Sequence, residues 1–228
     1  MEIVNNNIGL KFIPTKVVNF DEIERLEQIM KNDVFEKYLV NAKIEGELVV
    51  CNDTSKLKKF EKKIIRETYE DYKKFINNYN NNRDKWIYNI IDGISEQESI
   101  IYKDDLCIII PTYTWNKINI DKLHILCIPT DKSLRCIRSL NSNHINLLEH
   151  MKEETLRVIK KKYGITEENL KIYFHYEPST YHLHIHFVNI LNKEMNSSVE
   201  YSHELNNVIY NISICSDYYQ KVVLNKRI

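Results

Sequence analysis

Apolar and polar residues alternate most regularly over Tyr181-His-Leu-His-Ile-His-Phe-Val188. A period of two sends successive side chains to opposite faces of a strand. Leu183, Ile185 and Phe187 then face a core, and His182, His184 and His186 share the other face. Leu170 to Tyr176 alternates in the same way, with Leu170, Ile172, Phe174 and Tyr176 on one side and His175 on the other. Glu177-Pro-Ser-Thr180 between them is a turn-forming set. It predicts a tight hairpin that opposes His175 to His182 and Tyr176 to Tyr181.

The rest of the chain reads more coarsely. Ile8–Ile13, Val17–Phe20 and Ile44–Cys51 predict strands, while Glu22–Met30, capped by Asp21, and Val34–Val40 predict short helices. Lys56 to Asn77 predicts one long charged helix, and the polar run Asn77 to Arg83 a loop. A helix follows over Asp84–Ile91, ended by Asp92-Gly93. Ser99–Tyr102 and Leu106–Thr112 predict paired strands, and Leu123–Pro129 a central one. Ser142 or Asn143 caps a helix running to Lys162, with Ile145, Leu148, Met151, Leu156 and Ile159 on one stripe. The tail predicts a helix near Ser202–Ile212 and a strand near Val222–Leu224. This order predicts an α+β fold with an antiparallel sheet.

Composition narrows the function classes. The 32 basic and 32 acidic side chains cancel, which argues against a broad basic coat for nucleic acid but leaves room for a local basic pocket. With 43% apolar residues a packed core is feasible. Five widely spaced cysteines without a C-x-x-C read as reduced, mostly buried thiols. No segment reaches the roughly 18 apolar residues of a membrane span, and Asn5-Asn-Asn7 interrupts any early signal pattern. These features predict a soluble protein of cytoplasm or nucleus, with no membrane partner.

Half of the eight histidines fall between His175 and His186. They could form a plain polar strand face. They could hold a metal, since two strand histidines two apart can share one, although no Cys or Asp stands beside them. Or they could serve phosphoryl or nucleotidyl transfer, because a neutral imidazole is a good nucleophile and its neighbours can donate to phosphoryl oxygens.

His182-Leu-His-Ile-His-Phe-Val188 resembles the motif of the histidine triad superfamily. The longer string from His175 to Phe187 resembles its scavenger mRNA-decapping branch. Lys56–Thr68, Trp86–Asp92, Pro111–Asn116 and Ile137–Leu140 agree in the same order, so the resemblance covers about residues 55 to 228. It implies a C-terminal histidine-triad catalytic domain over 66–228. It also implies a small N-terminal α+β lid and dimerisation domain over 1–65 that carries the start of a linker helix.

The implied activity is hydrolysis of a free cap dinucleotide or short capped RNA to 7-methylguanosine monophosphate and a nucleoside or oligonucleotide diphosphate. The resemblance makes His184 the nucleophile, flanked by His182 and His186. His175, Ser179 and Lys56 are the implied phosphate ligands. Trp86 and Glu96 are the implied cap-base contacts, with Pro111, Thr112, Tyr113 and Thr114 closing the other side of the base. It implies no metal or cofactor, and a homodimer with exchanged N-terminal regions. Animal members carry an acidic residue where Thr112 stands and a lysine where Thr114 stands, and Thr180 occupies a position that is often tyrosine. A cap-binding regulator without turnover, or a dinucleoside polyphosphate or phosphoramidate hydrolase of the wider superfamily, are the alternative readings.

Overall fold

A computed structural model describes strand backbone within residues 2–51, and residues 63–193 and 197–227. The chain divides into two compact units, Met1–Glu61 and Lys62–Ile228.

The described part of the first unit is an antiparallel sheet of β1 (Glu2–Asn5), β2 (Ile8–Pro14), β3 (Ile23–Lys31), β4 (Phe35–Ala42) and β5 (Gly46–Cys51), in the order β1-β2-β5-β4-β3. The strands expected at 8–13 and 44–51 are β2 and β5. The helices expected over 22–30 and 34–40 are instead the paired strands β3 and β4. The helix propensity of Glu, Leu, Gln and Met is a weak prior, and sheet pairing overrides it here. The strand expected at Val17–Phe20 lies outside the described residues.

The second unit contains β6 (Ile64–Glu67), α1 (Tyr69–Asn77), α2 (Lys85–Ile91), β7 (Tyr102–Lys103), β8 (Cys107–Pro111), β9 (His124–Pro129) and α3 (Ile145–Tyr163). It continues with β10 (Leu170–His175), β11 (Ile185–Asn189), β12 (Ser202–Glu204), α4 (Leu205–Ile214), α5 (Tyr218–Lys221) and β13 (Leu224–Arg227). Six strands form an antiparallel sheet in the order β12-β10-β11-β9-β8-β7, and β6 pairs with β13. The α+β class and the central place of β9 are as the pattern predicts.

Local chemistry corrects several boundaries. Within the described part of the stretch expected to be helical from Lys56, α1 starts at Tyr69, where Thr68 and Asp71 form a reciprocal capping box. Ile64–Glu67 before it pairs with the tail. Asn141, not Ser142 or Asn143, caps the turn that opens α3. At the other end α3 stops at Gly164, whose φ of 71° a side chain would disfavour. The tail helix begins at Leu205 rather than Ser202, since Ser202–Glu204 joins the sheet beside β10 and Glu204 accepts from Asn206 N and Asn207 N.

The hairpin register also differs. Tyr173 opposes His186, where the tight turn would oppose it to His184. A shift of two residues leaves each side chain on its expected face. The four-residue turn loses because backbone groups in this stretch find partners elsewhere. Tyr176 N donates to Tyr201 O at 2.7 Å, Tyr181 N to the Asp84 carboxylate at 2.8 Å and Leu183 N to Leu134 O at 2.8 Å. Tyr176 and Tyr181 are buried in the core.

One sheet face carries Ile109, Ile125, Cys127, Ile172, Phe174, Ile185 and Phe187, which share a core with Leu148, Met151 and Ile159 of α3 and Leu205, Val208 and Ile212 of α4. Each such side chain stabilises the fold by about 1.5–3 kcal/mol when fully buried. The opposite face carries Ile108, Ile110, Leu126 and Ile128 against Ile87 and Ile90 of α2. This second face also holds the histidines.

Candidate active site

β11 places His186 beside Tyr173 of β10 and Leu126 of β9. His182 and His184 lie on the segment entering β11, and His175 ends β10. The rings gather closely. His186 lies 4.4 Å from His175, 4.9 Å from His184 and 5.2 Å from both His124 and Tyr173, between ring centroids. Tyr201 stacks on His175 at 4.4 Å.

Hydrogen bonds to carbonyls fix the protons on His184 and His182. His184 Nδ1 is 2.8 Å from His182 O, and a carbonyl can only accept, so Nδ1 carries the hydrogen. His184 Nε2 is therefore an unprotonated lone pair in the neutral ring. His182 Nε2 likewise donates to Pro129 O at 2.8 Å. His186 Nδ1 and His124 Nε2 are 2.9 Å apart and share a single hydrogen when both rings are neutral. Thr114 Oγ1 lies 3.4 Å from His124 Nδ1 and 2.9 Å from Thr112 Oγ1. Thr112 Oγ1 also donates to His124 O at 3.3 Å, so this chain admits either direction for the hydrogen between the two rings. His186 Nε2 is buried and has no hydrogen-bond partner among the described residues.

Burial keeps the rings uncharged. It lowers His124 to about 3, with His175 and His184 adding repulsion, and lowers His182 to about 4 against the pull of Pro129 O. His184 falls for the same reason, opposed by its bond to His182 O. His186 falls well below the ordinary range through burial and then the imidazoles around it. A neutral nucleophile with neutral donors beside it suits attack on phosphorus near pH 7.

Two supports hold the triad segment. Buried Asp84 accepts from Tyr181 N and from Tyr79 OH, and pairs with Arg135 at 3.3 Å. Arg138, fully buried, donates to Glu67 O, Tyr219 O, Val222 O and Tyr176 OH, tying the segment before His182 to α1's approach and the tail.

The structure brings His175, His182, His184 and His186 together, and His175 and Ser179 line one cavity. Trp86 is half-buried on α2, with Nε1 donating to Thr180 Oγ1 at 3.3 Å, so it is neither a core residue nor fully exposed. Glu96 is half-buried in a turn with a left-handed φ of 54°, and Glu98 is exposed. Pro111 ends β8, Thr112 is buried, and Tyr113 is 48% exposed. Lys56 lies outside the described residues.

His124, Tyr173 and Tyr201 join the histidines without having been expected there. The signal for His124 was available: it opens the apolar run His124-Ile-Leu-Cys-Ile128 as a polar residue in phase with Leu126 and Ile128. Among the described residues, the donor set close enough to hold a metal is Asp104, Cys107 and His150 rather than the histidine face. There the Asp104 carboxylate already accepts from Leu106 N, Cys107 N, Tyr102 OH and His150 Nε2.

An antiparallel sheet that presents clustered imidazoles from adjoining strands, with one lone pair left open, defines a nucleophilic histidine site. The family model described as "Scavenger mRNA decapping enzyme C-term binding" matches residues 85–201, and the chain belongs to that family. It is 33% identical over 214 residues to the m7GpppX diphosphatase of Ascaris suum, covering 87% of this chain and 71% of that protein. It is 30% identical over 218 residues to the Caenorhabditis elegans protein of that name, covering 88% and 69%. To the Homo sapiens protein of that name it is 31% identical over 169 residues, covering 71% of this chain and 50% of that protein. A crystal structure of the aprataxin ortholog Hnt3 in complex with DNA is similar at a TM-score of 0.41 and 17% identity, covering 57% of this chain and 75% of that one.

Proposed function

We propose that this chain hydrolyses the 5′ cap left on a dinucleotide or short RNA, releasing 7-methylguanosine monophosphate and a nucleoside or oligonucleotide diphosphate. The observation that carries the mechanism is the His184 Nδ1–H bond to His182 O, which leaves Nε2 open. Nε2 attacks the phosphate next to the methylated nucleoside. A P–N bond forms, the bridging P–O bond breaks, and its electron pair leaves on the diphosphate. Water then attacks the same phosphorus, and the P–N pair returns to Nε2.

With the shared hydrogen on His124, His186 Nε2–H donates to a phosphate oxygen, and His182 positions His184 through its carbonyl. His175, Ser179 and Lys56 bind the remaining phosphates. Trp86 stacks on the cationic base and Glu96 accepts from its N1–H and amine. Pro111, Thr112, Tyr113 and Thr114 close the other side. The reading includes a homodimer with exchanged N-terminal regions and a place in cytoplasm or nucleus. Among the described residues no helix is long and apolar enough to cross a membrane.

The test is to incubate the protein with methylated and unmethylated cap dinucleotide, with and without chelators, and resolve the products. 7-Methylguanosine monophosphate, formed whether or not chelator is present, supports the reading. Intact dinucleotide, or cleavage that returns only with added metal, overturns it.

A further inference from the structure

We propose that Asp104, Cys107 and His150 form a binding site for a divalent cation of the zinc class, which ties α3 to the turn between β7 and β8. Cys107 belongs to the core that the sheet shares with α3, whereas the triad lies on the other sheet face. The site does not rest on the cap-hydrolysis reading.

Asp104 follows β7, Cys107 begins β8 and His150 lies on α3. Each offers one ligand atom, and the three atoms lie within 4.8 Å of one another. A tetrahedral ion with bonds of about 2.0–2.3 Å sets its ligands roughly 3.3–3.8 Å apart. Small side-chain shifts therefore close the three on one ion. Burial is graded across the set. Cys107 is 0% exposed, while the side chains of His150 and Asp104 are 34% and 24% exposed. The sulfur is inside, and the outer side leaves an entry path and a fourth position for water.

The Asp104 carboxylate is already held in place. Its Oδ1 accepts from Leu106 N at 2.8 Å and from Cys107 N at 2.7 Å. Its Oδ2 accepts from Tyr102 OH at 2.9 Å and from His150 Nε2 at 2.7 Å. A carboxylate can only accept, so Nε2 carries the hydrogen. The cation takes the place of that hydrogen between Oδ2 and Nε2. Neutral His150 moves its hydrogen to Nδ1, and Cys107 releases its S–H proton to solvent. Oδ2, Nε2 and the Cys107 thiolate then hold the ion, and the two anions cancel its two charges. The buried Cys127 thiol lies against Cys107 and supports the thiolate as a weak donor. A set with sulfur and imidazole suits zinc, whereas magnesium and calcium take oxygen ligands.

Cobalt, a spectroscopic stand-in for zinc, tests this when titrated into reduced, metal-free protein. One equivalent should bind with a thiolate-to-cobalt charge-transfer band and release about one proton; zinc should displace it. Cys107→Ser should abolish the band and weaken zinc about a hundredfold or more. His150→Ala, a partly exposed change, should weaken zinc about tenfold or more. Zinc should raise the melting temperature of wild type but not that of Cys107→Ala. Metal caught by the triad histidines gives no band that depends on Cys107. A wild-type Kd above about 100 μM, a band that survives Cys107→Ser, or unchanged zinc affinity in His150→Ala overturns the site and leaves Asp104 and His150 as an ion pair only. The readout is binding, so it decides whether or not the chain cleaves a cap.

Discussion

The two faces of the six-stranded sheet are both buried, yet they are built by different rules. On one, Ile125, Cys127, Ile185 and Phe187 need only volume and apolarity. On the other, His124, His182, His184 and His186 are 4%, 0%, 8% and 7% exposed, and one ring nitrogen of each meets a carbonyl or another ring. A buried imidazole needs a partner for each N–H, whereas a buried methyl needs none. The first face should thus govern stability and the second chemistry, and substitutions can separate them.

The largest separation is expected at His184. His184→Asn keeps a polar side chain but removes the nucleophilic nitrogen, so single-turnover hydrolysis should fall by about four orders of magnitude or more. Cap binding and melting temperature should stay near wild type. Activity within tenfold of wild type would remove His184 from the mechanism. Phe187→Ala is the mirror experiment. It should cost about 3–5 kcal/mol in denaturant unfolding, while the remaining folded fraction keeps its turnover.

Acid should strike the histidine face first. His124 and His182 have folded values near 3 and 4, below the ordinary 6.5 of the unfolded chain. Between those values the unfolded state binds more protons. Stability is then complete above pH 6.5 and lost as pH falls toward 4 and 3, by up to about 1.4 kcal/mol per pH unit for each ring. Unfolding followed from pH 8 to 4 checks this; a flat profile would mean that the rings titrate normally.

His124 acts through His186. His124→Phe leaves His186 Nδ1 without its partner, at a cost of about 1–3 kcal/mol, so turnover should fall roughly ten- to a hundredfold. His124→Gln, which restores a hydrogen-bonding group at that reach, should recover most of it. No recovery would make His124 a packing residue. The smallest effect is expected at Trp86. Trp86→Ala should narrow the methylated-to-unmethylated affinity ratio by about tenfold, the size of a cation–π contribution. Dissociation constants measured in a His184→Ala background read it directly, and an unchanged ratio would move the cap base elsewhere.

Alternation alone assigned Leu183, Ile185 and Phe187 to the core and the histidines to the other side, because side-chain direction in a strand is a local property. The same locality explains the α3 stripe and the central β9. It also explains the failures. β3 and β4 carry good helix formers, and only the pairing of β3 with β4 and of β4 with β5 makes them strands. β6 is a strand because the tail 160 residues later lies beside it, a distance no window reads (Ile64 against Arg227, Glu67 against Leu224).

By itself the sequence determined the α+β class, the face on which each hairpin side chain sits, and the triad motif with its candidate nucleophile. Tertiary structure decided the register of that hairpin, the protons on His182 and His184, and the presence of His124 beside them. Register and tautomer both depend on which distant carbonyl or carboxylate arrives within hydrogen-bond distance: Asp84 and Leu134 for the loop, Pro129 for His182, and β9 for His186. A period of two fixes a face, but only packing selects the partner across from it.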